Sequence, residues 1–339
     1  MSRKIKFALV GFGRIGQRHF NCLLNNEGSE VNAIIDSDSE VQNKENYPAH
    51  IGLYESIDEA IADGCDFQVV DICTPNGEHV PLALKALDHK KHVIIEKPMG
   101  LSKAECESVI HKALQVSRQV FVVKQNRYSP PSKWLKGVVS NKLLGEIFTV
   151  QINCYWNRNT DYYAHGGWHG TVKQDGGVLF TQFSHFIDLM YWVFGDVKNI
   201  HTHLATFKHG DYTEFPDTGV STFEFVNGGL CSLNFSTAVY KENLESSITV
   251  IGERGSIKIG GQYMNEIKYC NIENYEMPEL ESSNAPNDYG TYKGSASNHA
   301  QLIDNVINTL NGTDEITANA LEGTKVVEII ERIYSAANE

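Results

Sequence analysis

Residues 5–20 read IKFALVGFGRIGQRHF, and this stretch predicts the fold of the first half of the chain. The apolar run IKFALV is typical of a buried β-strand, and RIGQRHF begins an amphipathic helix. Between them, Gly11, Gly13 and Gly16 form a G-x-G-x-x-G pattern. A strand that turns through such glycines into a helix indicates a dinucleotide site, because the turn lets backbone approach a pyrophosphate at the helix N-terminus.

Strands and helices continue to alternate from this stretch to about residue 125. The apolar runs VNAIID, FQVVDIC, HVIIE and QVFVVK are separated by helical stretches such as PLALKALDHK and AECESVIHKALQV. Short β-rich runs with helices between them imply parallel strands joined by right-handed crossovers. We therefore predict an α/β fold that begins with a doubly wound, parallel Rossmann domain over residues 1–125.

The pattern changes in the remainder of the chain, residues 126–339. After a helix near 131–139, the stretch GEIFTVQINCYW alternates apolar and polar residues as a half-buried strand does. Turns at Asn227-Gly228 and at Glu253–Gly255 indicate hairpins, and helical segments near 296–310 and 318–337 close the chain. We predict an α+β domain with an open, mostly antiparallel sheet, which serves substrate binding and oligomerisation.

Composition excludes several classes of function. The chain has 339 residues, of which 41% are hydrophobic, and a net charge of −13 without a cluster of lysine or arginine. Such a surface repels nucleic acid and anionic membranes, so we expect neither as a partner. Seven widely spaced cysteines without a C-x-x-C pair favour reduced thiols and a cytoplasmic location. The N-terminal segment lacks the apolar length of a signal peptide or membrane span.

The cofactor specificity is indicated by Asp36, which ends the second strand about twenty residues after Gly16. Its carboxylate would accept hydrogen bonds from the ribose hydroxyls and repel a 2′-phosphate, which favours NAD over NADP. Ser37 leaves some room for NADP. The alternative is that the glycines serve packing alone. The candidate cofactor residues of this first βαβ unit are Gly11, Phe12, Gly13, Arg14, Ile15, Gly16, Asp36 and Ser37.

Two further motifs follow predicted strands. CTPN at 73–76 and EKP at 96–98 stand at carboxyl ends of strands, where open α/β sheets bind ligands. Desolvation at that edge would lower the pKa of Lys97 from about 10.4, which makes it a proton donor or acceptor near neutral pH. The alternative is a solvated lysine after a strand.

A third motif, GGVLFTQFSHFIDLM at 176–190, predicts one helix that is buried on nearly every side. Thr181, Ser184, His185 and Asp188 recur at helical spacing and form a polar stripe on it. A buried polar group without a partner costs about 1–3 kcal/mol, so this stripe must face water, other polar groups or a ligand.

Together these motifs resemble the Gfo/Idh/MocA oxidoreductases over essentially the full chain. The resemblance rests on GFGRIGQRH, CTPN, EKPMG at 96–100 and GGVLFTQFSHFIDLMYWVFG at 176–195. It implies that Lys97 and His185 flank the reacting sugar carbon as the catalytic residues, and that the Lys97–Pro98 peptide is cis. It also implies that Glu96 touches the cofactor. The further candidate cofactor residues are Thr74, Pro75 and Asn76, which follow a predicted strand, together with His79, Lys97 and Gln125. Many members carry an aspartate where this chain has Thr181, so proton transfer would fall on Lys97 or His185.

Within the family, four strings are similar to UDP-N-acetylglucosaminuronate 3-dehydrogenases: KQNRYSPP at 124–131, YWNRN at 155–159, WHGT at 168–171, and LFTQFSHFIDL. This similarity implies oxidation of the 3-hydroxyl of a nucleotide sugar acid in the synthesis of a bacterial surface polysaccharide. Arg127 and Arg158 are the candidate cations for its anionic groups, with surface ion pairs as the alternative. The candidate substrate contacts are Lys97, Asn126, Arg127, Arg158, Asn159, Trp168, Thr181, Gln182 and His185, with Ser184 near them, whereas Asp188 is expected to be a supporting contact.

Several alternatives stay open. The chain could be a dehydrogenase of inositol or a free sugar, or a sensor that binds NAD or sugar without catalysis. The resemblance suggests 2-oxoglutarate as a second substrate and a homodimer or homotetramer, because the far face of an open sheet needs a cover. We expect no metal site, since the two glycines between the histidines of HGGWH at 165–169 disfavour the helix that an i, i+4 metal pair requires.

Overall fold

The computed structural model of the protein describes residues 4–42, 47–163, 167–288 and 293–337. The chain forms two compact units. The first contains residues 1–123 and 299–327, and the second contains residues 124–298 and 328–339. Among the described residues, no helix combines the length and the apolar character needed to cross a membrane. All seven cysteines lie in the described ranges and are free thiols.

The first unit is built on a six-stranded parallel sheet, which confirms the predicted doubly wound α/β fold. Its order is β3-β2-β1-β4-β5-β6, so the direction of winding reverses between β1 and β4. Ligands bind at such a reversal because the loops after the two strands diverge and leave a crevice. The strands are β1 Ile5–Val10, β2 Ser29–Ile35, β3 Gly52–Tyr54, β4 Val69–Ile72, β5 His92–Ile95 and β6 Val120–Val122.

Helices cover this sheet, and some of them come from the end of the chain. The predicted domain boundary at residue 125 placed residues 299–327 in the second domain. This part of the prediction was wrong, because these residues belong to the first unit. They belong to the first unit because Asn26 donates a hydrogen bond to Asp304 (2.7 Å) and Thr324 contacts the sulfur of Met99. The helices are α1 Arg14–Leu24, α2 Ser39–Gln42, α3 Ile57–Ala62, α4 His79–Asp88, α5 Lys103–Val116, α10 His299–Leu310 and α11 Ala320–Ser335, the last to residue 327 in this unit.

The second unit contains the predicted open sheet, with the order β13-β12-β11-β7-β10-β9-β8. All neighbours are antiparallel except β7 and β10, which are parallel. The predicted hairpins are confirmed as β9 with β10 and β11 with β12. The strands are β7 Ile147–Tyr155, β8 Val197–Ala205, β9 Thr218–Phe225, β10 Leu230–Ser236, β11 Glu245–Gly252, β12 Gly255–Gly260 and β13 Glu266–Ile272, with a separate pair, β14 Pro286–Asp288 and β15 Lys293–Ala296.

One face of this sheet packs against helices through aromatic side chains. Phe183 contacts Trp156 and Phe235 with ring centroids 5.4 and 6.0 Å apart, and Phe194 contacts Phe225 at 5.3 Å. The helices of this unit are α6 Pro130–Ser140, α7 Thr160–Tyr163, α8 Val178–Thr181 and α9 Ser184–Phe194. The helical segment is interrupted between Thr181 and Ser184, so the prediction of one continuous helix over 176–190 was wrong.

The other face of the sheet is polar along its centre. Asn234 donates to Asn153, and Asn153 donates to Glu245, both at 3.0 Å, so a row of hydrogen bonds crosses three strands. Gln151, on the same face of β7, is exposed. The same face also carries exposed apolar side chains, Val220, Leu230, Ile251 and Tyr269, so a covering partner stays a prediction.

Candidate active site and cofactor site

The turn between β1 and α1 leaves space for a ligand at one glycine only. A Cβ on Gly16 would lie 2.0 Å from the Gly11 carbonyl oxygen, and one on Gly11, at φ +85°, would lie 2.8 Å from the carbonyl oxygen of Cys73. By contrast, no atom lies within 4 Å of a Cβ built on Gly13. Gly13 is also the N-cap residue of α1 and has no capping side chain. This turn fits a dinucleotide, whose pyrophosphate would meet the open backbone at the helix start.

Asp36 lies where the sequence predicts, immediately after β2. One carboxylate oxygen accepts a hydrogen bond from the amide of Phe12 (2.6 Å) and the other accepts one from the amide of Asp38 (2.9 Å). The carboxylate is thus fixed beside the glycine turn while it stays half-exposed, and Ser37 next to it is exposed. Ribose binding by Asp36 remains a prediction with a suitable geometry.

The CTPN and EKP segments are joined by a buried histidine. The ring of His79 reaches the carbonyl oxygen of Pro98 at 2.7 Å and that of Thr74 at 3.0 Å. Burial lowers the pKa of His79, although both carbonyls favour its charged form. The prediction placed His79 in contact with the cofactor. The residue is only 1% exposed and holds the two segments together, and its contact with the cofactor stays a prediction.

Glu96 and Lys97 follow β5 directly. The carboxylate of Glu96 is buried, and one of its oxygens accepts a hydrogen bond from the backbone amide of Lys97 at 2.9 Å. The side chain of Lys97 is half-buried, and the Lys97–Pro98 peptide is cis, as the family resemblance implied. Among the other residues of this group, Asn76 is buried and begins a short 3-10 helix, Asn76–Glu78, whereas Thr74 and Pro75 are half-buried.

In the second unit, His185 lies in the first turn of α9 and is 6% exposed. Its Nε2 atom lies 3.4 Å from the hydroxyl of Ser295, to which Gln125 donates a hydrogen bond at 3.1 Å. Asn298 donates to the carbonyl oxygen of Gln125 at 3.1 Å. The sequence did not single out Ser295 or Asn298, because serine and asparagine in a short strand and its exit have no distinctive pattern.

Thr181 is bonded to a carboxylate that the sequence also missed. Its hydroxyl donates to the Asp175 side chain and to the Asp175 carbonyl oxygen. Asp175 is fully buried, accepts a hydrogen bond from the Gly170 amide at 2.9 Å, and lies 3.7 Å from Nδ1 of His169. A carboxylate therefore lies beside position 181 although the residue there is threonine. His165, the other histidine of HGGWH, lies outside the described residues.

Asp188 is the partner of Arg127. The guanidinium donates to both carboxylate oxygens, at 2.9 and 2.7 Å, and Lys124 lies 3.5 Å away. Burial acts to raise the pKa of Asp188, but the positive charges of Lys124 and Arg127 outweigh it and lower that pKa. Arg127 was predicted to meet the substrate. Its side chain is instead fully buried in this pair, an arrangement that fits the supporting role expected of Asp188, which stays a prediction.

Arg158 is buried against aromatic rings. Its guanidinium lies 4.9 Å from the ring centroid of Trp156 and 5.3 Å from that of Tyr162, and it donates to the Asn157 carbonyl oxygen at 2.6 Å. The side chain of Asn159 accepts a hydrogen bond from the amide of Tyr162 at 3.1 Å.

Three aromatic rings pack together beside this arginine, with His169 stacked on Tyr162 and tilted against Trp168. The ring of His169 lies 4.1 Å from Tyr162 and 3.8 Å from Trp168. Arg158, Asn159 and Trp168 thus belong to one part of the second unit through their contacts with Tyr162 and His169. Stacked rings of this kind offer flat apolar surface beside a positive charge.

Three predicted site residues keep a buried oxygen without a partner. Among the described residues, no hydrogen bond reaches Oε1 of Gln125, Oδ1 of Asn126 or Oε1 of Gln182. All three side chains are at least nine-tenths buried, and the amide nitrogen of Gln182 donates to the hydroxyl of Tyr162 at 3.1 Å. Each such acceptor costs about 1–3 kcal/mol unless a donor meets it, so a ligand with several O–H or N–H groups fits here.

Comparison with known proteins agrees with both units. Residues 5–124 match the oxidoreductase family with an NAD-binding Rossmann fold, GFO_IDH_MocA, and residues 133–258 match the GFO/IDH/MocA C-terminal domain. The chain belongs to the Gfo/Idh/MocA family. It is accordingly an oxidoreductase whose cofactor is NAD, in agreement with the glycine turn and Asp36.

Solved structures of similar sequence cover nearly the whole chain. The WlbA dehydrogenase from Bordetella pertussis, in complex with NADH and UDP-GlcNAcA, is 29% identical, with a TM-score of 0.88, over 99% of this chain and 97% of that one. The WlbA dehydrogenase from Chromobacterium violaceum, with the same two ligands, is 30% identical, with a TM-score of 0.87, over 100% and 95%.

Curated relatives are more distant. Glucose-6-phosphate 3-dehydrogenase of Bacillus subtilis is 24% identical over 97% of this chain and 95% of its own length. Two others align over only 60% and 61% of their own length. These matches therefore show the family of this chain and do not show its substrate.

The glycines predict a contrast between two alanine variants. Gly16→Ala forces α1 away from Gly11 and should lower the free energy of unfolding by about 1–3 kcal/mol. Gly13→Ala, at φ −69°, meets open space and should change stability by less than about 0.5 kcal/mol, yet weaken NAD binding at least tenfold. Urea unfolding and NAD titration calorimetry measure both effects. Wild-type NAD affinity in Gly13→Ala would show that no ligand approaches this turn.

The buried ion pair of Arg127 and Asp188 predicts a large loss of stability when only one of its two members is replaced. Arg127→Met leaves Asp188 buried with Lys124 alone and should lower the free energy of unfolding by about 3–5 kcal/mol. The double variant Arg127→Met/Asp188→Leu should recover part of it. Lys198→Met, which breaks an exposed pair with Glu224, is the control and should cost at most about 1 kcal/mol. Equal urea midpoints for Arg127→Met and the control would return Arg127 to the substrate candidates.

Proposed function

We propose that this protein oxidises the 3-hydroxyl of UDP-N-acetyl-D-glucosaminuronic acid to the 3-keto sugar, with NAD as the oxidant, for the synthesis of a bacterial surface polysaccharide such as O-antigen. The observation that carries the proposal is the set of three buried amide oxygens without a partner, on Gln125, Asn126 and Gln182. Sugar hydroxyls and the N-acetyl N–H are donors of the kind that these acceptors lack.

The choice of a nucleotide sugar acid is supported by two further observations. The WlbA structures, which resemble this chain over nearly its full length, contain UDP-GlcNAcA. Arg158 with Tyr162 and His169 combines a cation with stacked rings, which suits a group that carries both phosphate and a flat base. Arg127 no longer contributes to this argument, because its charge is paired with Asp188.

We assign the proton chemistry to Lys97 and His185. Oxidation of the carbinol breaks its C–H and O–H bonds, and NAD, when bound, accepts the hydride. The hydroxyl proton goes to a protein group, for which the amine of Lys97 and the imidazole of His185 are the candidates. His185 contacts Ser295 through Nε2, so the hydroxyl of Ser295 holds the orientation of the ring.

Asp175 supports this arrangement from the Thr181 side. Its buried carboxylate fixes the Thr181 hydroxyl and the Gly170 amide, and so joins the helix that precedes His185 to the loop that carries His169. We propose that Thr181 lies beside the substrate but does not act as the base. A hydroxyl that already donates to a carboxylate has little tendency to accept a proton.

The surroundings of the reaction are part of the proposal. We propose a cytoplasmic enzyme that acts as a homodimer or homotetramer and regenerates its NAD in place with 2-oxoglutarate.

The substrate is tested by an NADH absorbance assay with three candidates. UDP-N-acetylglucosaminuronic acid should give turnover, whereas myo-inositol and glucose 6-phosphate should give at least about a hundredfold less kcat/KM, because neither meets Arg158 with a nucleotide diphosphate. Preference for inositol or the sugar phosphate would assign another sugar dehydrogenase. Absence of NAD reduction with every sugar, in a protein that binds NAD, would favour a sensor.

Lys97 is tested by Lys97→Ala. Turnover should fall at least about a hundredfold, since the variant lacks an amine near the reacting hydroxyl, while NAD affinity and the unfolding midpoint stay close to wild type. Lys112→Ala, which removes a surface ion pair with Asp88, is the matched control and should keep full activity. Full activity of Lys97→Ala would refute the assignment.

A further inference from the structure

Four ionisable side chains are buried together in the first unit, near the carboxyl edge of its sheet. They are His19 on α1, Asp71 on β4, Glu96 after β5 and His299 at the start of α10, and none is more than 4% exposed. Asp71 lies within a strand whose other residues are all buried and apolar. A buried carboxylate in such a strand requires a specific partner, because desolvation costs several kcal/mol.

His19 is that partner, and it bridges two carboxylates. Its Nδ1 lies 2.9 and 3.1 Å from the oxygens of Asp71, and its Nε2 lies 3.2 Å from Oε1 of Glu96. A ring with an acceptor on each nitrogen is satisfied only when both nitrogens carry protons. Burial acts to lower the pKa of His19, but the charge of Asp71 outweighs it and raises that pKa well above the usual value.

Glu96 transmits this contact to the next residue. While Oε1 faces His19, the other oxygen accepts the hydrogen bond from the backbone amide of Lys97. Burial acts to raise the pKa of Glu96, but its contacts with His19 and with His299, whose Nε2 lies 3.6 Å from Oε1, outweigh burial and lower that pKa well below its usual value, so the carboxylate stays ionised. His79 contacts the carbonyl oxygen of Pro98 from the other side. The backbone of Lys97 is therefore held from within the first unit.

We propose that His19 is a positioning residue for Lys97: its imidazolium bridges Asp71 and Glu96 and thereby keeps the Glu96 carboxylate fixed on the Lys97 amide. This inference rests on the proposed role of Lys97 in proton transfer. Loss of the cation leaves Asp71 and Glu96 as two like charges in a buried space, which turns Glu96 away or protonates it. Either change alters the position and the charge environment of the lysine amine.

The same atoms could also hold a metal ion. His19 Nε2, Glu96 Oε1 and His299 Nε2 all lie within 4.8 Å of one another, and no hydrogen bond reaches the ring nitrogens of His299 among the described residues. A metal would require His19 to lose the proton with which it meets Glu96, so we favour the imidazolium bridge. Metal analysis of the purified protein separates the two.

The experiment compares His19→Gln with His19→Gln/Asp71→Asn, in which both charges of the buried pair are removed and folding should recover. His89→Gln, on the surface of the same unit, is the control. The amine reactivity of Lys97 is measured by acetylation at several pH values and mass spectrometry, without any sugar. Both His19 variants should shift the half-maximal pH by about one unit relative to wild type, since each lacks the imidazolium that fixes the Glu96 carboxylate beside Lys97. They should also lower kcat at least about tenfold, with the KM for substrate changed less than about threefold.

The outcomes are distinct. Wild-type Lys97 reactivity and kcat in the folded double variant would overturn the inference and leave His19 a purely structural residue. Stoichiometric zinc that is lost on His19→Gln would overturn it in favour of a metal site. A shift in Lys97 reactivity together with full activity of Lys97→Ala would uphold the positioning contact and refute the proposed function of the lysine.

Discussion

The close approach of helix α1 to the turn before it is the constraint on which the cofactor half of the molecule depends. Only hydrogen fits at Gly16, because a larger group would meet the carbonyl oxygen of Gly11. The same approach brings His19, one turn further along α1, against Asp71 at hydrogen-bond distance. One packing contact thus shapes the dinucleotide turn and completes a buried ion pair.

Buried carboxylates recur at the positions that organise the site residues. Asp71 is held by His19, Asp188 by Arg127, and Asp175 by Thr181 and the Gly170 amide. Each lies beside a predicted functional segment and ties it to a neighbouring element. Charged groups of this kind are poor sources of net stability but tolerate few alternative arrangements, so they fix geometry rather than add to the core.

The sequence predicted the sheets, the hairpins and the glycine turn because each rests on local periodicity or on turn chemistry. Asp36 and Lys97 lie at strand ends as predicted for the same reason, since Asp36 directly follows β2 and Lys97 is the second residue after β5. Arg127 was assigned to the substrate because sequence does not show that Asp188 pairs with it across 61 residues. The break before α9 was missed because its apolar residues continue the helical period, and Asp175, Ser295 and His299 act through tertiary contacts that leave no local pattern.

The order of the chain has a consequence for synthesis on the ribosome. The first unit lacks residues 299–327 until residues 124–298 of the second unit have been made, and His299 is among the groups that its interior encloses. Strand β7 likewise precedes both of its neighbours, β10 and β11, by more than seventy residues. Neither unit can therefore reach its final form in simple N-to-C order. During translation the edges of strand β7 stay unpaired, and the buried charged groups of the first unit lack His299. Chaperone binding would protect the nascent chain in this period.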